Sequence, residues 1–288
     1  MSLSTLVSPS ELNQHLQDPA WRIVDCRFKL ADPESGRRDY LMSHIPGAVY
    51  AHLNEDLSGP ILPGKTGRHP LPEVSQAARV FSRLGIRTGI QVVAYDDLGG
   101  SMAAARLWWM LRWLGHAEAA VLDGGWHAWL ADGRPVQQEV PHVPPANFIP
   151  RPGLEQVVTA QDVDQIRADP GYCLLDARSF ERYLGLNETI DLVGGHIPGA
   201  VSAPYSANLT SEGRFKTKDE LARHYWNLLG DRQPGHAVFY CGSGVTAVLN
   251  ILAMEYAGLT GARLYAGSWS EWITDPLHPI ARQDQSSI

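Results

Sequence analysis

The chain repeats itself, and a repeat of domain length constrains the fold more than any single motif does. "IVDCR" at Ile23 to Arg27 answers "LLDAR" at Leu174 to Arg178, and "SHIPGAV" from Ser43 matches "GHIPGAV" from Gly195. "VLDGGWHAWLADGRPV" from Val121 matches "LYAGSWSEWITDPLHPI" from Leu264. Asp25 to Asp176, His44 to His196 and Trp126 to Trp269 are 151, 152 and 143 residues apart, so two copies of one fold are expected within 288 residues. Each copy alternates strand-like runs such as "VVAYDD" with helical patterns such as "SMAAARLWWMLRWLG". That alternation predicts an α/β fold in each half, a mainly parallel sheet flanked by helices. Between the halves, "VQQEVPHVPPANFIPRPG" is too rich in proline to join a central strand. The expected division is an N-terminal domain over 1–136, a linker over 137–155 and a C-terminal domain over 156–288.

One half carries a chemical feature that the other lacks. In "VFYCGSGVTAVLN", Val238 to Asn250, an apolar strand-like run ends at Cys241 and a helical pattern resumes at Val245. Gly242 and Gly244 let the backbone curl tightly, so that the amides of residues 242 to 246 can point inward ahead of a helix N-terminus. Such a cup favours an anion, and the thiolate is the nucleophilic form of cysteine. After "VVAY" the first half has Asp96 where the second has Cys241. Its longer turn, "DDLGGS", brings two carboxylates that would oppose an anion, and it is expected to serve as a wall beside the site. Of the other cysteines, Cys173 falls in an apolar run and is expected to be buried and inert, while Cys26 is expected near the interdomain cleft but lacks a glycine cup.

Composition narrows the function classes. A formal net charge of −7 supplies no general attraction to nucleic acid or anionic lipid, which leaves small molecules and proteins as partners. No apolar run approaches a membrane span, and "MSLSTLVSPSELNQHL" lacks the regions of a signal peptide, so a cytoplasmic protein is expected. Three widely spaced cysteines fit neither a disulfide framework nor a zinc site. Trp108, Trp109 and Trp113 are spaced as the core face of a helix. "LPGKTGRHPLP" from Leu62 lacks the glycine spacing of a phosphate loop and reads as a surface loop.

Together, the tandem "HIPGA" halves, the "CGSGVTA" loop and the closing "GSWSEW" resemble the two-domain rhodanese-type sulfurtransferases. The neutral loop is most similar to the 3-mercaptopyruvate branch. The resemblance implies two tandem rhodanese-like domains, with Cys241 taking a sulfane sulfur from a small-molecule donor as a persulfide and passing it to a thiol, thioredoxin or cyanide. It implies no metal and no organic cofactor. Gly242, Ser243, Gly244, Val245 and Thr246 would cradle the terminal sulfur, and Ser243 would relay a proton to the departing enolate. By the same resemblance His44 stands behind Ser243 and Asp32 orients His44, with Asp39 also nearby. Arg182 would bind the substrate, while Arg27 and Arg178 make structural pairs with Asp25 and Asp176. Many relatives carry a further arginine about nine residues later, where this chain has Ile190 and Asp191. Thiosulfate is the alternative donor. A cysteine-dependent phosphatase would place an arginine at position 247, which is Ala247, and a persulfide carrier without turnover is the rival of another class.

Overall fold

Short apolar runs become the centres of two five-stranded parallel sheets. The computed structural model describes residues 3–153 and 156–282. In the first half, strands β1 (Leu6–Val7), β2 (Trp21–Asp25), β3 (Val49–Tyr50), β4 (Gln91–Tyr95) and β5 (Ala119–Leu122) form one sheet in the order β1-β5-β4-β2-β3. In the second, β6 (Val157–Val158), β7 (Cys173–Asp176), β8 (Val201–Ser202), β9 (Ala237–Tyr240) and β10 (Arg263–Tyr265) repeat that topology as β6-β10-β9-β7-β8. Every pairing is parallel. Strands β4 and β9 are buried at every position, as expected of central strands covered by helices on both faces. The helix Ala103–Trp113 covers the first sheet with Trp108, Trp109 and Trp113 all buried, as their spacing predicts.

Two compact units result, and each borrows a segment across the sequence midpoint. The first comprises Met1–Gly59, Pro72–Leu154 and Leu209–Phe215. The second comprises Pro60–Leu71, Glu155–Asn208 and Lys216–Ile288. Residues 137–153 form no helix and no strand beyond a bridge at Gln137. They run along the first unit, where Ala146, Arg151 and Gly153 donate amide hydrogen bonds of 2.8 Å to the carbonyls of Ser82, Leu114 and Trp113. The stretch expected as a linker is thus hydrogen-bonded to the first unit at several points.

The repeated motifs meet at one buried ion pair in each unit. Arg178 grips Asp176 through Nε at 3.0 Å and Nη2 at 2.6 Å, and its Nη2 also donates to the carbonyl of Gly195 at 2.6 Å. Its guanidinium lies 4.7 Å from the Trp269 ring centroid. The hydroxyl of Tyr240, the last residue of β9, accepts the amide of Ile197 at 3.1 Å. In the first unit Arg27, Asp25, the Ser43 carbonyl, Trp126, Tyr95 and Ile45 make the same set of contacts. The structural pairing expected of Arg27 and Arg178 is thus present in both units. Replacing Arg178 with Met would leave Asp176 buried without its cation. Urea unfolding of the Arg178→Met protein should show a loss of about 3–5 kcal/mol; a loss below about 1 kcal/mol would contradict this role for the pair.

Candidate active site

Strand β9 ends at Tyr240, so Cys241 stands where the sheet gives way to a turn. The Cys241 amide donates to Ser268 Oγ at 3.1 Å, and the Cys241 and Gly242 carbonyls accept the amides of Trp269 and Ser270 at 3.0 and 2.9 Å. Ser268 has φ 57°, the only positive φ outside glycine among the described residues; the matching residue of the first unit is Gly125, at φ 56°. The Ser268 hydroxyl also donates to the Tyr265 carbonyl at 2.9 Å, so two side-chain bonds hold a backbone conformation that L-residues avoid. Gly244 adopts φ 73°, and a Cβ there would lie 2.2 Å from the Ala266 carbonyl oxygen. The turn therefore closes only with glycine.

This turn leads directly into the helix Ala247–Tyr256. Among the described residues, the amides of Gly242, Ser243, Val245 and Thr246 have no hydrogen-bond acceptor. Donors of this kind at a helix start make an anion site. The first unit displays that site filled. Asp96, in the position of Cys241, turns its carboxylate back into its own loop and accepts the amides of Leu98, Gly100, Met102 and Ala104 at 2.9, 2.7, 3.0 and 3.3 Å. The Asp96 carboxylate is thus engaged by the amides of its own loop.

The histidine on Ser243 is His69. Its Nδ1 lies 2.8 Å from Ser243 Oγ, and both residues are buried. The expected partner, His44, is engaged otherwise. Its ring stacks on Tyr40 with centroids 4.1 Å apart, and its Nδ1 and Nε2 lie 2.7 and 3.2 Å from the carbonyls of Tyr40 and Glu139. His196 does the same in the second unit, stacking on Tyr183 at 3.8 Å with Nδ1 2.7 Å from the Tyr183 carbonyl. A histidine kept in both copies thus serves the fold in both. Asp32 pairs with Arg38 and Asp39 with Lys29 at the surface, and neither bonds the His44 ring.

His69 comes from the segment read as a surface loop. Residues 62–65 of it are exposed, but Gly67 and His69 are buried. A Cβ on Gly67 would sit 2.5 Å from the Gly267 carbonyl oxygen, and the Arg68 amide donates to Ser270 Oγ at 3.1 Å. One signal for this was available. Gly67-Arg68-His69 and Gly213-Arg214-Phe215 are 146 residues apart, a separation lying between those of the histidine and tryptophan pairs, and they belong to the two borrowed segments.

Arg182 lies in the same unit, in the short helix Phe180–Leu184, but its fork is occupied. Nε and Nη2 donate to Glu188 at 2.9 Å each, and Nη2 also reaches Asp191 at 2.9 Å. Asp191, at the position where an arginine was sought, pairs with Arg68 as well. Burial raises the Glu188 carboxyl, but the bonds from Arg182 and the amides of Asp191 and Ile190 outweigh it and leave Glu188 below its ordinary range. For Asp191, burial prevails over Arg68 and Arg182 and moves the carboxyl up. All three cysteines are buried; burial pushes the Cys26 thiol well up, with Asp25, Asp96 and Asp56 adding to the effect, and burial also raises Cys173.

With this geometry in place, comparison with known proteins is informative. The model of the rhodanese-like domain matches twice, over residues 8–132 and 159–275. A Pseudomonas aeruginosa protein named "Probable 3-mercaptopyruvate sulfurtransferase" is 44% identical over 99% of this chain and 100% of its own. The thiosulfate sulfurtransferase of Mus musculus is 34% identical over 88% of this chain and 86% of its own. Among solved structures, the 3-mercaptopyruvate sulfurtransferase from Leishmania major superposes with a TM-score of 0.82 at 33% identity, over 93% of this chain and 74% of that one.

Alkylation of the folded protein at neutral pH should fall on Cys241, with Cys26 and Cys173 labelled only after unfolding, as read by peptide mass. Labelling of either of those two ahead of Cys241 would contradict the assignment of the reactive thiol.

Proposed function

Because the chain belongs to the rhodanese-like family through both of its halves, we propose that it is a sulfurtransferase that takes a sulfane sulfur from 3-mercaptopyruvate onto Cys241 and passes it to a thiol, thioredoxin or cyanide. The observation that carries this reading is the conjunction of Cys241, a ring of unpaired amides and the Ser243–His69 pair in one unit. The relatives named for mercaptopyruvate support the choice of donor.

In the first step the Cys241 thiolate attacks the sulfur of mercaptopyruvate. A sulfur–sulfur bond forms, the carbon–sulfur bond breaks, and its electron pair leaves on carbon as the pyruvate enolate. The donor's thiol proton moves to that carbon, giving pyruvate and the Cys241 persulfide anion. Ser243 Oγ, coupled to His69 Nδ1, is the group that carries the proton. The amides of Gly242, Ser243, Val245 and Thr246 receive the persulfide charge as the Asp96 loop receives its carboxylate. An acceptor nucleophile then takes the terminal sulfur and restores the thiolate. Both steps balance without a metal or an organic cofactor. Three free cysteines accord with a reducing, cytoplasmic setting.

Thiosulfate would give the same persulfide with sulfite leaving, a step that needs no proton on carbon. Ser243 and His69 therefore separate the two donors. A carrier that receives a persulfide from another protein has no use for the pair.

Cys241→Ser should abolish transfer, while Cys26→Ser and Cys173→Ser retain it, with the trapped intermediate heavier by one sulfur atom. Ser243→Ala and His69→Gln should lower kcat for mercaptopyruvate by about 10²-fold and affect thiosulfate less, whereas His44→Gln should show no such donor selectivity. Equal damage to both donors from Ser243→Ala would overturn the proton relay, and full turnover by Cys241→Ser would overturn the whole reading.

A further inference from the structure

Three arginines hold carboxylates by one edge of the guanidinium. Arg27, Arg178 and Arg182 each present Nε and Nη2 side by side, to Asp25, Asp176 and Glu188 respectively. This is the fork that matches the two oxygens of a carboxylate. Arg68 is bound differently. It is tied to Asp191 through Nη1, at the end of the guanidinium, while its Nε is buried with no partner among the described residues. Nη2, the other half of that edge, also has no acceptor there. It lies 2.8 Å from the point a Cβ on Gly242 would occupy, next to Cys241. The Arg182 nitrogens are farther from that point, Nη2 at 3.5 Å and Nη1 at 3.6 Å.

Resting on the sulfurtransferase reading above, we propose that the unpaired Nε–Nη2 edge of Arg68 is the principal binding site for the carboxylate of the sulfur donor. Arg182 and Asp191 are positioning residues. Arg182 is held by Glu188, and Asp191 bridges Arg182 to Arg68 and so orients the open edge over the Cys241 turn. The second cation sought downstream of Arg182 is supplied instead by the segment 60–71, the same segment that brings His69 to Ser243. Donor binding and proton relay thus share one loop, with adjacent residues facing the two ends of a small 2-oxo acid. Glycine at 242 leaves the space in front of Nη2 clear, since a Cβ there would sit 2.8 Å from that nitrogen.

The test uses the full chain with Arg68→Ala and Arg68→Lys. For 3-mercaptopyruvate, Arg68→Ala should raise KM by about tenfold or more with a smaller change in kcat, the signature of binding made equally in ground and transition states. Arg68→Lys keeps the charge but lacks the fork and should fall between. A KM unchanged in Arg68→Ala, or one fully restored by lysine, overturns the fork assignment. A second measurement does not depend on sulfur transfer: the rates at which iodoacetate and iodoacetamide alkylate Cys241, read by mass. Both reagents consume the same thiolate, so their ratio reports recognition of a carboxylate. Wild type should favour iodoacetate more than Arg68→Ala does, and a ratio that the substitution leaves unchanged overturns the proposal. Should wild type transfer sulfur from neither donor, the sulfurtransferase reading fails while the alkylation ratio still decides the role of Arg68.

Discussion

The placement of Cys241 depends on the buried pair between Asp176 and Arg178. The pair ties the end of β7 to the turn before Ile197 through the Gly195 carbonyl, and it stacks under Trp269. Tyr240 is drawn to the same carboxylate while its hydroxyl accepts the Ile197 amide. Those contacts fix the last residue of β9, and Cys241 is the next residue. Buried ion pairs contribute little net stability, because desolvation offsets much of the Coulombic gain. Their use here is registration. One guanidinium sets four chain segments in place at once, and removing it would leave a carboxylate with no compensating charge.

The first unit shows the same frame with its chemistry blocked. Asp25, Arg27, Tyr95 and Trp126 reproduce the network, and the loop after β4 still presents inward amides. Asp96 places a carboxylate among them. Burial prevails and moves that carboxyl up, although the amides of Leu98, Gly100 and Met102 work against it. The comparison separates two properties that coincide in the second unit. The anion cup belongs to the fold and is present twice, filled by Asp96 in the first unit and left with unpaired amides after Cys241 in the second.

Much of this was legible in the sequence because repetition exposes what the fold requires. The two parallel sheets, the Asp-x-Arg pairs, the tryptophan core and the glycine turn after Cys241 all follow from local pattern or from alignment of the halves. The histidine on Ser243 was not, because the same logic misleads when applied to His44. A histidine present in both copies satisfies carbonyls in both copies, and the one that meets Ser243 is the one without a counterpart, since Phe215 stands where the second half would match His69. His69 is also 174 residues from Ser243 in the chain. No periodicity reports that a segment from the first half belongs to the second unit. The equivalence of Gly67-Arg68-His69 with Gly213-Arg214-Phe215 holds that information, but it rests on three residues inside a proline-bounded loop that otherwise looks exposed.

The charge arrangement around Arg68 bears on why a site with so many arginines would suit a monoanion. Arg68 and Arg182 are balanced by Glu188 and Asp191, and Arg178 by Asp176, so the cluster carries no net charge. A carboxylate about 4 Å from Arg68 gains roughly 4 kcal/mol at an effective dielectric of 20, and Asp191 beyond it returns a large part of that as repulsion. Attraction to the cluster grows in proportion to the charge of the ligand. The cost of taking that charge out of water grows with its square. Doubling the charge, as thiosulfate does, therefore doubles a modest gain and quadruples the penalty. A neutral network with one open fork favours the ligand whose two oxygens match the fork at the lowest total charge. Mercaptopyruvate meets that condition, and its other end is the one that needs the proton held between Ser243 and His69.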